Sequence, residues 1–541
     1  MGSVNKGLPW QERVANKRQN CADKIPAAWR IPGNYLDNFL TPLSDNKNNL
    51  IQAEAIQKSG ILTDQELRIT EQYTVQELIS ALANGSLTAT EVTVAYCKRA
   101  AVAQQLVSCI TETLFAEAQE RAQYLDSLRE QGRLAGPLHG LPVSIKDNFH
   151  VKGTEATIGM VSFLDEVSLD NSPLVDMLLE LGAVIYVKTN VPQTMMTADS
   201  HNNVFGRTLN PWNTTLGPGG SSGGEGALIA LRGSPLGVGT DIGGSVRIPA
   251  LCCGTYGFRP SAGRIPNGGM RACTTSGMKF ILSCAGPLAL DLNGIETFFK
   301  SIFAARPALY DSTILDIPWR QVSTRPSLRI GIVPESPTFP LHPPVKRVLA
   351  EAARLLEAEG HHIIPLEVQE CQVMEANEIA WNIFSLDQAA MGYIQSSGEP
   401  PVPALVHIGT LIEKLKGAYQ STLPDLSGLD RMGKLALLNT RRAELRELYR
   451  KMWLRHDLDI SPYTTFLNCL DYPSCVIPFG RVGGSDAKET LVLKESQVAP
   501  PYNFDQLEGA PCAIQVFTTT LRDEECLQLT KQIDQCLKRA A

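Results

Sequence analysis

The sequence of 541 residues lacks several features that would mark a membrane, secreted or nucleic-acid-binding protein. No apolar run is long enough to span a bilayer, and the start of the chain has no apolar core of signal-peptide length. No stretch of lysine and arginine is dense enough to bind nucleic acid, and the formal net charge is −7. These absences predict a cytoplasmic protein with no membrane span and no nucleic-acid partner. They are compatible with a homodimer.

Disulfide and zinc motifs are also missing. The thirteen cysteines are an odd number, are scattered along the chain and form no CxxC pair. This pattern favours reduced thiols over a disulfide framework or a zinc site. The pair His361–His362 has no acidic or cysteine residue at ligand spacing, so we interpret it as a solvated turn. We therefore expect no metal site.

Local patterns predict helices that alternate with short apolar strands. Three capping boxes, each a threonine followed three residues later by a glutamate, mark helix starts at Thr63, Thr74 and Thr88. Strands are predicted at "PVSIKDNF", "AVIYVKT", "LRIGIVPE" and "HHIIPLE". The alternation predicts an α/β fold with a largely covered sheet. We expect residues 1–73 to form a helical N-terminal extension and residues 74–541 to form a single large domain.

One segment, "GPGGSSGGEGALIALRGSPLGVGTDIGGSVRIPA" (217–250), combines many glycines with three serines. A phosphate cradle is disfavoured because no GK[ST] follows and Ile242 breaks the GxGxxG register. A nucleophile elbow formally matches "GGSSG", but loop residues precede it where that motif needs an apolar strand. A flexible linker would account for the composition, but it would predict nothing about a distant lysine.

With that lysine included, the segment resembles the amidase signature family. The residues that carry the resemblance are Lys146 in "PVSIKDNF", Ser221 in "PGGSSGGEGA" and Ser245 in "GTDIGGSVRIPA". Ser221 follows Lys146 by 75 residues, and Ser245 follows Ser221 by 24, as is typical of the family. Within the family, "KSGILTDQELRITE", "AYCKRAAVAQQL" and "LDYPSC" resemble fungal acetamidase-type enzymes. The resemblance implies a mixed central β-sheet covered by helices, with residues 74–541 as the catalytic domain.

The resemblance also implies a mechanism. Ser245 would attack the amide carbonyl and become the acyl-enzyme, Ser221 would relay protons, and Lys146 would be the base. Lys146 would need a pKa well below the ordinary ~10.4 to be neutral at working pH. The peptide bond before Ser221 would be cis. No metal or organic cofactor is implied.

Substrate contacts follow from the same resemblance. The backbone N–H groups of four consecutive residues, Ile242, Gly243, Gly244 and Ser245, would form an oxyanion hole. The backbone at Met195 would help to hold the substrate, although a methionine near a strand end is otherwise a core residue. The substrate would be a small or medium carboxamide. Alternatives are an ammonia-supplying amidotransferase subunit and a non-catalytic amidase-like binding module.

Two further expectations concern the surroundings of the motif. Asp241 and Arg247 flank the "IGGS" loop, and we expect them to pair and fix it. After Asp459 the chain reaches "LDYPSC" almost directly, whereas relatives usually have a strand and a proline-containing loop there. We expect this missing segment to open the substrate pocket and to impair the hydrolysis of small amides.

Overall fold

The computed structural model describes residues 7–278, 280–418, 421–462 and 467–540. Within these ranges no helix is both long and apolar enough to cross a membrane. The α-helices, α1 to α18 in chain order, are Trp10–Asp23, Asp64–Gln72, Val75–Asn84, Ala89–Val107, Phe115–Glu130, Pro173–Glu180, Gly223–Ala230, Arg247–Cys253, Leu292–Ala304, Pro343–Ala358, Val368–Cys371, Val373–Ser385, Ala389–Ser397, Pro403–Ala418, Arg431–His456, Leu467–Leu470, Phe504–Leu507 and Asp523–Ala540.

The strands carry the central sheet and two small ribbons. They are, from β1 to β13, Ile110–Thr113, Pro142–Lys146, Val184–Thr189, His201–Asn202, Gly206–Arg207, Leu236–Asp241, Tyr256–Arg259, Cys284–Ala289, Arg329–Ile332, His362–Pro365, Ser461–Pro462, Ser474–Arg481 and Pro511–Phe517. Nine of the described strands form one sheet in the order β1-β3-β2-β6-β8-β7-β12-β13-β11. β2 runs parallel to β3 and β6, and the other neighbours are antiparallel. The predicted mixed central sheet is confirmed.

The parallel strands β3, β2 and β6 determine where Lys146 and the "IGGS" loop lie. β2 ends at Lys146 and its neighbour β6 ends at Asp241, directly before the "IGGS" loop. Parallel neighbours present their carboxyl ends at the same edge. The lysine and the second serine loop therefore meet at one edge of the sheet, although they are far apart in sequence.

The three predicted capping boxes are confirmed at the starts of α2, α3 and α4. In each one the threonine hydroxyl accepts from the backbone N–H of the glutamate, and the glutamate carboxylate accepts from the threonine N–H. These reciprocal bonds satisfy two N–H groups that a helix start leaves unpaired. The local sequence accounts for these reciprocal bonds. At the start of α4 a distant residue contributes as well, because the Asp126 carboxylate on α5 accepts from the N–H groups of Ala89 and Thr90.

The predicted unit after residue 328 forms a strand, a helix and a strand, but it does not join the central sheet. β9 and β10 pair in parallel as a separate two-stranded sheet, connected by α10. An isolated bridge from Ile330 to Ile460 links this ribbon to the segment that leads into β11. A strand pattern predicts a strand but does not identify its partner, so the sequence left this placement open.

Apolar side chains from the first part of the chain pack into the main hydrophobic core. Trp29, Leu50 and Ile56 belong to the same buried cluster as the strands β2 and β3. Lys17 on α1 donates a 2.6 Å hydrogen bond to the buried Glu112 of β1, which fastens this helix to the sheet. The domain boundary after residue 73 stays a prediction.

The segment after Asp459 contains one very short strand, β11. β11 is two residues long and pairs antiparallel with the end of β13, at the outer edge of the sheet. Residues 463–466 lie outside the described residues, and α16 begins at Leu467. The expected effect of a missing strand and loop on the pocket stays a prediction.

Candidate active site

Lys146 is fully buried at the end of β2, and its amine faces the glycine-rich loop. Its Nζ donates hydrogen bonds to Ser221 Oγ at 2.7 Å and to Thr240 Oγ1 at 2.9 Å. Burial lowers the pKa of Lys146 to about 7, against the opposing charges of Asp241, Glu225 and Asp147. The amine is therefore neutral in a large fraction of molecules near pH 7 and can accept a proton.

Ser221 lies in a loop that approaches other backbone so closely that glycine is required. The Gly220–Ser221 peptide bond is cis. A Cβ on Gly220 would lie 2.3 Å from the carbonyl oxygen of Thr197. The hydroxyl of Ser200 donates to the Gly219 carbonyl and accepts from the Gly223 N–H, which clamps both sides of the serine pair. These contacts hold the Ser221 hydroxyl against the lysine.

Ser245 belongs to the second loop, and its backbone is joined to the first. The Ser222 N–H donates to the Ser245 carbonyl at 3.0 Å. The preceding Gly244 has φ of +113°, a conformation that favours glycine. The structure thus brings Lys146, Ser221 and Ser245 into one region. Of the three pairs that these residues form, only Lys146 and Ser221 share a side-chain hydrogen bond in the described structure.

The predicted oxyanion donors divide into two groups. The N–H of Gly244 donates to the Asp241 carboxylate at 2.8 Å, so in this conformation it is not available to a substrate. This corrects the prediction of four donors, because a carboxylate at the end of β6 takes that N–H. The N–H groups of Ile242, Gly243 and Ser245 donate to no other residue in the described part of the chain. That these three N–H groups form an oxyanion hole stays a prediction.

The expected pairing of Asp241 with Arg247 is confirmed. The guanidinium donates to both carboxylate oxygens, at 3.0 Å and 3.1 Å, and both side chains are buried. Burial alone would raise the pKa of Asp241, but Arg247, Arg259 and the amide of Asn468 hold it far below its ordinary value. The carboxylate is therefore charged at all working pH values.

Sequence reasoning missed three residues around this site. Thr240 contacts Lys146, Asn468 contacts Asp241, and Glu225 lies beneath the lysine strand. Thr240 and Glu225 both lie in the glycine-rich segment 217–250, whereas Asn468 had no signal in the sequence. The composition of the segment did not indicate the contacts of either residue. An acidic residue in the first turn of a helix is commonly exposed and interacts with the helix dipole, and nothing in the sequence indicated that this one is buried.

Glu225 is a fully buried carboxyl on α7. It accepts hydrogen bonds from the hydroxyls of Ser144 at 2.6 Å and Thr189 at 2.8 Å. Burial raises the pKa of Glu225 to about 7, although both hydroxyls and Lys146 oppose that shift. Glu225 and Lys146 therefore titrate in the same range as a coupled pair.

Met195 lies on a strained turn beside this edge of the sheet. Both Thr194 and Met195 have positive φ, at 70° and 60°. The half-buried side chain of Met195 packs on the small apolar cluster that contains Ile158 and Ile394. The Met195 N–H donates to Pro192, so a substrate contact here would use the Met195 carbonyl. Its role in binding stays a prediction.

The described residues contain no group of histidine, cysteine and acidic side chains that could hold a metal ion. The interpretation of His361 as part of a solvated turn is wrong. Its ring is buried, with Nδ1 accepting from the Leu328 N–H and Nε2 lying 3.5 Å from Cys536 Sγ. Cys536 lies on α18, 175 residues after His361, so the sequence alone did not indicate this contact.

The sequence and the fold of this chain are similar to those of known amidases. The family model described as Amidase matches residues 91–418. An amidase of Gibberella moniliformis is 37% identical, with 99% of this chain and 100% of that protein covered. An acetamidase of Emericella nidulans is 34% identical over 98% of each chain. A solved structure of fatty acid amide hydrolase superposes with a TM-score of 0.84 at 29% identity, covering 98% of this chain and 95% of that one.

Proposed function

The chain belongs to the amidase signature family of serine hydrolases that act on amide C–N bonds, and from this premise we propose that it hydrolyses a carboxamide through Ser245, Ser221 and Lys146. The products are a carboxylic acid and ammonia or an amine. The observation that carries the proposal is the 2.7 Å hydrogen bond between the buried amine of Lys146 and Ser221 Oγ. No other described lysine both contacts a serine hydroxyl and has its pKa lowered to about 7.

In acylation, Ser245 Oγ forms a bond to the amide carbonyl carbon. Its proton passes to Ser221 Oγ while the Ser221 proton passes to the neutral Lys146 amine. The negative charge on the former carbonyl oxygen is stabilised by the N–H groups of Ile242, Gly243 and Ser245. When the C–N bond breaks, the proton returns from Lys146 through Ser221 to the leaving nitrogen.

Deacylation uses the same groups with water. The water oxygen attacks the acyl carbon while its proton passes through Ser221 to Lys146. The C–O bond to Ser245 then breaks, and Ser245 regains its proton by the same route. Every proton taken up in one half of the cycle is returned, so the chain's own residues are sufficient for the reaction.

The substrate class follows from the relatives. Two curated relatives are described as acetamidases, at 34% and 33% identity over nearly the whole chain, which supports a small carboxamide as substrate. We propose the cytosol as the site of action because all thirteen cysteines are free thiols. A homodimer stays a prediction that light scattering of the purified protein would test.

The proposal is tested by profiling and labelling together. Ammonia or amine release is measured for aliphatic, aromatic and fatty amides, and a fluorophosphonate probe is mapped by mass spectrometry. We expect release from at least one small amide and a label on Ser245. A label on Ser222 or Ser221 would favour the nucleophile-elbow alternative, and a protein with neither label nor turnover would be a binding module.

A further inference from the structure

Asn468 connects the C-terminal part of the chain to the loop that carries Ser245. It lies on the short helix α16 and is buried. Its side-chain Nδ2 donates to Asp241 Oδ1 at 2.8 Å, and its Oδ1 accepts from Arg247 Nη2. The carboxamide thus bridges both members of the buried ion pair, from a position 227 residues after Asp241.

The carboxylate that Asn468 contacts controls the backbone on both sides of Ser245. Asp241 Oδ1 accepts from the Gly244 N–H at 2.8 Å, and Oδ2 accepts from the Val246 N–H at 3.1 Å. The orientation of this carboxylate therefore sets the path of the loop. The same orientation decides which N–H groups of the loop are taken and which remain free.

We infer that Asn468 is a positioning residue for amide hydrolysis. It holds the Asp241 carboxylate in the orientation that engages Gly244 and Val246 and leaves the N–H groups of Ile242, Gly243 and Ser245 unpaired. This inference rests on the proposed function, because it concerns the same oxyanion loop. Asn468 has no contact with Ser245 itself among the described residues, so it acts through Asp241.

Asp241 and Arg247 are both buried, so water cannot take over the hydrogen bonds that Asn468 makes to them. Asp241 is fully buried and accepts from Gly244, Val246, Arg247 and Asn468. A buried carboxylate oxygen that loses one donor keeps its desolvation cost. Without Asn468, Oδ1 would keep Gly244 and Arg247 as donors, but the side chain would lose the contact that holds it on the side of α16. A rotation of the carboxylate would then release Gly244 or Val246 and shift the loop.

Gln515 offers a matched control. It lies on β13 and is buried, and its Oε1 accepts from Arg247 Nη1 at 3.2 Å. It touches the same guanidinium as Asn468 but makes no hydrogen bond to Asp241 in the described structure. Gln515→Ala therefore removes a buried amide next to the ion pair and leaves the carboxylate's donors in place.

The first experiment compares Asn468→Ala with Gln515→Ala. For Asn468→Ala we expect kcat to fall by roughly tenfold to a hundredfold, the effect of losing the hydrogen bond that orients the Asp241 carboxylate. KM should change less than about threefold, because the loop acts on the oxyanion of the transition state. The rate of fluorophosphonate labelling should fall with kcat. Gln515→Ala removes one hydrogen bond to Arg247 and should lower the melting temperature while it keeps kcat within about threefold.

The second experiment uses Asn468→Asp, which remains informative if Asn468→Ala folds poorly. A protonated carboxyl at this position can donate to Asp241 and accept from Arg247, as the amide does. An ionised one would repel Asp241, since two adjacent carboxylates resist double ionisation. The ratio of the variant's kcat to the wild-type kcat should therefore fall as the pH rises. The wild-type denominator cancels the titration of Lys146 where both proteins share the same Lys146 pKa. An ionised Asp at position 468 would raise that pKa and so lower the ratio at low pH, which is opposite to the expected trend.

Other charged groups near α16 are present in both proteins and do not produce this trend. They are Arg247 and Arg259 beside Asp241, Asp471 after the helix, and the groups that act on Cys469, namely Glu375 on α12 and Arg442 and Arg446 on α15. Arg247 and Arg259 favour ionisation of the new carboxyl, whereas Asp241 opposes it. A role confined to packing would give a ratio close to one at every pH, because Asp has nearly the same shape as Asn.

The outcomes separate this inference from the proposed function. Equal kcat for Asn468→Ala and Gln515→Ala, or a kcat ratio for Asn468→Asp that stays close to one at every pH, would overturn the positioning role while the wild-type label on Ser245 still supported the mechanism. A wild-type label on another serine would overturn the proposed function itself. A large loss in kcat with a falling pH ratio supports the role of Asn468.

Discussion

The amine of Lys146 donates a 2.7 Å hydrogen bond to the hydroxyl of Ser221, across 75 residues of sequence, and both side chains are buried at the edge of the sheet. The contact joins the last residue of a central strand to the glycine-rich loop before α7. It makes Lys146 the base of the proposed mechanism, and it defines the predictions that follow.

Replacing Lys146 with alanine should lower kcat/KM by roughly 10³-fold or more, because no other described group can take the proton from Ser221. Steady-state ammonia release measures the loss. His150→Gln is the control. His150 is the titratable residue that follows β2 most closely after Asp147, and its ring contacts Ser168 but neither Ser221 nor Ser245. An equal loss in the histidine variant would contradict a serine–serine–lysine mechanism.

The rate should depend on pH through the lysine. Burial lowers the pKa of Lys146 to about 7, and only the neutral amine accepts a proton, so kcat/KM should rise as the pH increases through about 7 and then level off. The profile is measured from about pH 5 to about pH 9, and its apparent pKa belongs to the coupled Lys146–Glu225 pair. A rate that falls over this range would show that the protonated lysine is the active form.

Glu225 should make stability depend on pH in the same range. Burial raises the pKa of Glu225 from 4.5 to about 7, so between these values the folded protein binds more protons than the unfolded chain. The free energy of unfolding should therefore fall as the pH rises through this window. Glu225→Gln should remove this contribution, on the order of 1–3 kcal/mol. Calorimetric melting at several pH values measures the difference in the free energy of unfolding between the two proteins. An identical pH dependence in both would contradict a raised pKa for the buried Glu225 carboxyl.

Two adjacent glycines of the oxyanion loop should respond differently to alanine. A Cβ on Gly243 meets nothing within 4 Å, whereas Gly244 has φ of +113° and its Cβ would lie 2.8 Å from Ile248 Cδ1. Gly244→Ala should therefore cost about 1–3 kcal/mol of stability, and Gly243→Ala close to none. Melting temperatures of the two variants, measured side by side, test this order. A more stable Gly244→Ala would mean that the loop adopts another path.

Local features of this protein could be predicted from sequence. The capping boxes at Thr63, Thr74 and Thr88 act within one helical turn, and the strand ending at Lys146 is visible in its alternation. The family resemblance supplied Lys146, Ser221 and Ser245 because their spacing and glycine setting are specific. The same information could not identify the buried partners of those residues.

The sequence by itself determined the capping boxes at the helix starts, because these bonds join side chains close together in the chain, and the alternation of helix and strand patterns gave the α/β class. The residues at the sheet edge came from the family resemblance of separate motifs. Only the tertiary structure decided that Asn468 bridges Asp241 and Arg247, that Glu225 accepts from Ser144 on the lysine strand, and that the Gly244 N–H is taken by a carboxylate. These contacts join segments up to 227 residues apart. Burial gives them their energetic weight, and burial is set by how strands and helices pack around a residue.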